Sequence, residues 1–106
     1  MVDALEFLSK RRREVESLCI AYAVRRLRVF GSAARGTWDP ATSDFDFVVE
    51  FNAVPPSMHP FDQYFQFKQE LEAVLGRSVD LVELRAVRND FFRRNLERTA
   101  LHWFAA

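Results

Sequence analysis

From Asp44 to Phe51 the chain reads Asp-Phe-Asp-Phe-Val-Val-Glu-Phe, an order that a strand sorts into two faces. Phe45, Phe47, Val49 and Phe51 fall on one side, and Asp44, Asp46, Val48 and Glu50 on the other. A strand with four large apolar side chains on one side needs a sheet whose apolar face is covered, and helical patterns elsewhere in the chain supply the cover. Its opposite face carries two aspartates away from that core. The segment is therefore half scaffold and half candidate site.

The covering helices are legible from spacing. Asp3 and Glu6 form a capping-box-like start, and Leu5, Leu8, Val15, Leu18 and Tyr22 keep helical intervals, which predicts one helix to about Ala23. Lys10, Arg11, Arg12 and Arg13 interrupt its apolar stripe, and the aliphatic stem of Arg12 can still lie along the core. That basic run reads as a solvated helix face rather than a binding patch. Phe61, Tyr64, Phe67, Leu71, Val74 and Leu75 mark a second helix, with Gly76 at the position where a left-handed cap favours glycine. A last helix is predicted over residues 88–99.

Alternation predicts further strands over residues 26–30 and 79–84, and a short closing strand over 101–104. Residues 52–60, with Pro55, Pro56 and Pro60, have loop composition, as do residues 37–43. The fold class expected is α+β, a small mixed sheet flanked by about four helices.

At 106 residues the chain reads as a single domain over residues 1–106, with no room for a separate acceptor-binding domain. Fifteen basic and fifteen acidic residues balance, so no global field draws it to nucleic acid or an anionic membrane. Cys19 is the only cysteine, which excludes an internal disulfide and a cysteine-based zinc site; it reads as a small core residue. No apolar run approaches the ~18 residues of a membrane span, and a cytoplasmic protein is expected.

The candidate site has two halves. The predicted strand over 26–30 runs into Gly31-Ser32-Ala33-Ala34-Arg35-Gly36, where a glycine entering a helical turn lets main-chain N–H groups approach an anion. Ser32 adds a hydroxyl donor, and Arg35 can neutralise charge on departing pyrophosphate. Seven residues beyond Gly36 come Ser43-Asp44-Phe45-Asp46, and Asp80 follows within the third predicted strand, facing away from Val79 and Leu81. Two carboxylates ~7 Å apart on a strand repel by roughly 2 kcal/mol at an effective dielectric of 20. A hard divalent cation relieves that repulsion, and a third carboxylate favours a pair of ions suited to phosphoryl or nucleotidyl transfer. Each element alone is common in turns and loops, and their order along the chain is what makes them informative.

This combination resembles the minimal nucleotidyltransferases of the DNA polymerase beta-like superfamily, the antitoxins encoded beside HEPN-domain toxins. Gly31 to Gly36 matches the Gly-Ser-x-Ala-Arg-Gly signature, Ser43 to Asp46 the Ser-Asp-x-Asp motif, and Leu75 to Val82 the segment holding the third carboxylate. The arginine-containing segment from Phe92 to Ala106, with its aromatic end, is also similar. The resemblance implies ATP as substrate, two Mg2+ ions, and transfer of AMP to a tyrosine hydroxyl of a HEPN-domain toxin partner. It assigns Asp44, Asp46 and Asp80 as metal ligands and catalytic residues, and Gly31, Ser32, Arg35 and Ser43 to the nucleotide.

Three other readings compete. An antitoxin that neutralises by binding alone would use Phe91, Phe92, Trp103 and Phe104 as its surface. A small-molecule nucleotidyltransferase would need an acceptor domain that this length does not supply. A nucleic-acid binder built on Lys10 to Arg13, Arg93 and Arg94 is opposed by zero net charge and by the lack of a reading motif. His59 and His102 have no partner at ligand spacing, and Trp38 and Asp39 read equally as nucleotide border or packing.

Overall fold

A computed structural model describes residues 3–106; Met1 and Val2 lie outside the described residues. In chain order the elements are α1 (Ala4–Ser9), α2 (Arg12–Ala21), β1 (Val24–Phe30), α3 (Ser32–Arg35), β2 (Phe45–Phe51), α4 (Pro60–Leu75), β3 (Val79–Glu83), a 3₁₀ turn (Leu84–Ala86), α5 (Asp90–Thr99) and β4 (Leu101–Ala105). The four strands form one mixed sheet in the order β3-β2-β1-β4. β1 runs antiparallel to β2 and β4, and β2 runs parallel to β3, with α4 making the crossover that a parallel pair requires.

The apolar parity of β2 governs the packing. Phe45, Phe47 and Val49 are fully buried beneath Leu8, Val15 and Cys19 of α1 and α2 and Phe67, Leu71 and Leu75 of α4. Burying each such side chain contributes ~1.5–3 kcal/mol, so this layer supplies much of the stability. Gly76 caps α4 in the left-handed conformation, as its position in the sequence predicts. The other face of the sheet carries a smaller cluster of Val48, Leu84 and Leu96, where the 3₁₀ turn and α5 cover part of it.

Several expectations are corrected. The first helix is two, because no apolar side chain occupies the turn at residues 11 and 12 and the chain gains nothing there by staying helical. Arg11 instead folds back, donates from Nη1 to the Phe7 carbonyl at 3.2 Å and stacks over the Phe7 ring. Among the described residues the split brings the helices flanking the sheet to five, in keeping with the α+β class and the four or so expected. On α4, Phe61 is exposed, while Gln63 is buried because its amide donates to the Tyr22 carbonyl at 2.9 Å. Val48 is buried on the aspartate face, which α5 makes a second, partial interior. Trp103 belongs to the core rather than to a docking surface, Phe104 packs against that core half-buried, and Arg12 lies over the Trp103 ring. Asn89 caps α5 through its side chain, so this helix begins at Asp90 and not at residue 88.

Candidate functional site

The site is assembled at one end of the sheet, where β1 hands over to α3. Gly31 has φ +68° and ψ −146°, a backbone region essentially restricted to glycine. A Cβ on this residue would meet Asp46 Oδ2 at 2.2 Å, so the missing side chain is what lets the turn sit against the carboxylate. Register extends the row across the sheet. Phe30 pairs with Asp46 on β2, and Asp46 pairs with Asp80 on β3. The two aspartates are therefore adjacent on the same face of neighbouring strands, ~4.8 Å apart between backbones.

Electrostatics bear this out. The Asp46 carboxyl titrates above the usual carboxylate range, first because it is partly buried, then because Asp80 and Asp44 are close; Arg35 pulls it back. All three acidic groups and the arginine thus act on one point. Asp44 lies one residue before β2, on exposed loop, so the pleat alone does not fix its side chain. Among the described residues, no three His, Cys, Asp or Glu side chains close into a cluster able to hold a metal ion. The donor set nevertheless suits magnesium: all three groups are hard oxygen donors, and their mutual repulsion at Asp46 is what a cation relieves.

The loop between α3 and β2 is built by residues whose role is structural. Trp38 is buried against Phe7 and Phe45, with ring centroids 5.4 and 4.9 Å away, and its Nε1–H donates to the Asp44 carbonyl at 3.1 Å. Of the two roles left open for Trp38, packing is the one found. Asp39 accepts from Ala41 N–H and donates its own N–H to Ser43 Oγ, so that hydroxyl keeps its proton for another acceptor. Arg77 is a contributor that spacing did not reveal. It donates from Nη1 to the Ser43 carbonyl at 2.9 Å, and its guanidinium lies over Phe7 and Trp38 at 4.6 and 4.8 Å.

Ser32 opens α3 and is half-buried, and Arg35 closes the same turn, exposed. A cleft of about 390 Å³ lies beside Arg35, walled by Gly31, Ala34 and Arg35 on one side and by Asn95 and Thr99 of α5 on the other. No spacing rule marks Asn95 or Thr99, because they reach the site only through the packing of α5. Cys19 takes no part: burial, with Glu16 adding to it, pushes its thiol up to about 12. His59 caps α4, accepting from Phe61 N–H.

A four-stranded mixed sheet with a Gly-Ser turn abutting paired aspartates defines a nucleotidyltransferase fold, and comparison with known proteins agrees. Residues 8–101 match the nucleotidyltransferase domain family, and the chain belongs to that family. It is 30% identical over 92 residues to a provisionally named protein adenylyltransferase of Methanocaldococcus jannaschii, covering 86% of this chain and 88% of the relative. A solved structure of a provisionally named minimal nucleotidyltransferase superposes with a TM-score of 0.75 at 36% identity, over 94% of this chain and 95% of that one. The fold is shared, at 16% identity and a TM-score of 0.64, with a chain in the structure of the tri-AMPylated Shewanella oneidensis HEPN toxin in complex with MNT antitoxin; 92% of this chain and 72% of that chain are covered. Among the described residues, no helix is long and apolar enough to cross a membrane.

Proposed function

We propose that this chain is a cytoplasmic antitoxin that transfers AMP from ATP to a tyrosine hydroxyl of a HEPN-domain toxin. The observation that carries the reading is the contact of Gly31 with Asp46, itself in register with Asp80, which puts an anion-accepting turn beside a row of carboxylates. The M. jannaschii relative, named a protein adenylyltransferase, and the AMPylated toxin held with an antitoxin of this fold support the substrate and the partner.

In this reading Gly31, Ser32 and Arg35 hold the triphosphate, and the Ser43 hydroxyl, free to donate, borders it. Asp44, Asp46 and Asp80 would hold two magnesium ions, which when bound supply charge neutralisation on the nucleotide. The acceptor oxygen forms a bond to the α-phosphorus, the bond from that phosphorus to the pyrophosphate oxygen breaks, and pyrophosphate leaves. The exposed Asp80 carboxylate receives the hydroxyl proton, and Arg35 steadies the leaving charge.

The chain's own tyrosines support an acceptor from outside. Tyr22 and Tyr64 both pack with the helix-covered core, Tyr22 donating to Gln66 and Tyr64 to the Leu81 carbonyl. Both hydroxyls are already engaged, although Tyr64 is near enough for Asp80 to raise its pKa after burial does. Incubation with α-labelled ATP, magnesium and the co-expressed HEPN partner should label a partner tyrosine and lose that label in Asp44→Ala. No label on the partner from either wild type or Asp44→Ala, with neutralisation retained in both, would establish neutralisation by binding instead.

A further inference from the structure

The proposed reaction leaves one wall of the site without a role. The cleft that begins at Gly31 and Arg35 ends on α5, at the half-buried Asn95 and at Thr99. Its volume, about 390 Å³, falls in the ~300–1,000 Å³ range of small-molecule sites. The cation among its lining residues is Arg35, at the end already assigned to the triphosphate. The α5 end offers an amide and a hydroxyl, and the cation beside it, Arg98, is bonded to the asparagine's oxygen.

The amide is held in place. Arg98 donates from Nη2 to Asn95 Oδ1 at 3.2 Å, which fixes the oxygen end and leaves Nδ2 to donate to a ligand. Oδ1 retains a second lone pair. Thr99 Oγ1 donates to the Asn95 carbonyl at 2.7 Å, so its lone pairs remain for a hydroxyl donor. A donor and an acceptor side by side on one asparagine match the N7 and N6 amino edge of adenine, whereas guanine presents two acceptors there.

We propose that Asn95 is the base-selecting residue of this site, taking the N6/N7 edge of adenine, with Thr99 accepting from a sugar hydroxyl. The inference rests on the nucleotidyl-transfer reading and deepens it, since it assigns the nucleoside end of the same ligand. Selection then comes from α5, an element outside the Gly-Ser turn and the aspartates.

Calorimetric titration of the full chain with ATP, GTP and tripolyphosphate in magnesium tests it. ATP should bind wild type at least tenfold more tightly than GTP. Asn95→Ala should lose about tenfold in ATP affinity and most of that preference, with tripolyphosphate binding unchanged. Asn95→Gln, which keeps the polarity but displaces the amide by one methylene, should lose the preference as well. ATP affinity and preference unchanged in both variants, with wild type binding ATP and tripolyphosphate, overturn this inference alone. Equal losses for ATP and tripolyphosphate overturn it too, by placing Asn95 on the phosphates. A wild-type chain that binds neither ligand overturns the transfer reading with it.

Discussion

Gly31 and Asp46 occupy each other's space: a single methyl group on residue 31 would sit 2.2 Å from the Asp46 carboxylate oxygen. The turn and the carboxylate therefore form one unit, with the glycine setting how near an anion held by the turn can come to the acidic row. Backbone and contact act together, because the φ of +68° at Gly31 also disfavours any L side chain.

Gly31→Ala should accordingly cost ~1–3 kcal/mol in backbone strain alone, a fall of roughly 4–24 °C in melting temperature at ~4–8 °C per kcal/mol for a domain of this size. Transfer activity should be abolished. The double variant Gly31→Ala/Asp46→Ala should melt above Gly31→Ala, because it removes the clash and keeps only the strain. Thermal denaturation of the four proteins of this cycle separates the two contributions.

Asp46 supplies a prediction about pH. Burial, Asp80 and Asp44 raise its folded-state pKa above the ordinary value of 3.8, so the folded state binds its proton more tightly than the unfolded state does. Stability from this group is fully present below pH 3.8 and is lost as pH rises through the raised pKa. Asp46→Asn should then melt higher than wild type at pH 7, and the difference should vanish on acidification below the ordinary carboxylate range. Magnesium should raise the melting temperature of wild type at pH 7 and do so less for the variant, since binding to the folded state stabilises it by mass action. Melting curves from pH 3 to 8, with and without the cation, check both.

Residue parity made the centre of the site legible in advance. A period of two with phenylalanine at alternate positions leaves β2 one way to face, and that alone turns Asp46 toward the opposite side. The Gly-Ser turn was equally local. The pairing of Asp46 with Asp80 was not, because register between β2 and β3 is set by the α4 crossover and by packing distant in sequence. The burial of Gln63 in place of Phe61 depended on a carbonyl of Tyr22 that only the folded chain brings near. Asn95 and Arg77 reach the site through tertiary packing, and single-sequence periodicity carries no trace of that.

Arg77 should matter to catalysis more than to stability. Its bond to the Ser43 carbonyl and its stacking over Phe7 and Trp38 hold the loop that delivers Asp44, yet its buried Nε has no hydrogen-bond partner. Arg77→Met keeps an apolar stem against the rings and removes that unpaired group. The loss of a charge-assisted bond, ~1.5–3 kcal/mol, is then partly offset. Melting should fall by only a few degrees, while the transfer rate drops about tenfold and amides of residues 37–43 exchange faster with solvent. Hydrogen exchange and initial rates measured on the same preparation decide it.

Phe91 and Trp103 separate partner binding from folding. Phe91 is 82% exposed on α5, whereas Trp103 is 6% exposed within the core. Phe91→Asp removes almost no buried surface, so its stability should stay within ~0.5 kcal/mol of wild type. If α5 docks the HEPN partner, affinity for that partner should fall at least tenfold in this variant, with ATP binding unchanged. Trp103→Asp should instead unfold the chain, since it buries an unpaired charge beneath α2 and removes the ring over which Arg12 lies. Pull-down and toxicity assays of Phe91→Asp and Asp44→Ala separate the two modes: neutralisation by contact should fail in Phe91→Asp and survive in Asp44→Ala, and neutralisation by transfer should fail in Asp44→Ala while capture is kept. Loss of capture in Phe91→Asp alone would place the docking surface on α5, beside the cleft that ends at Asn95.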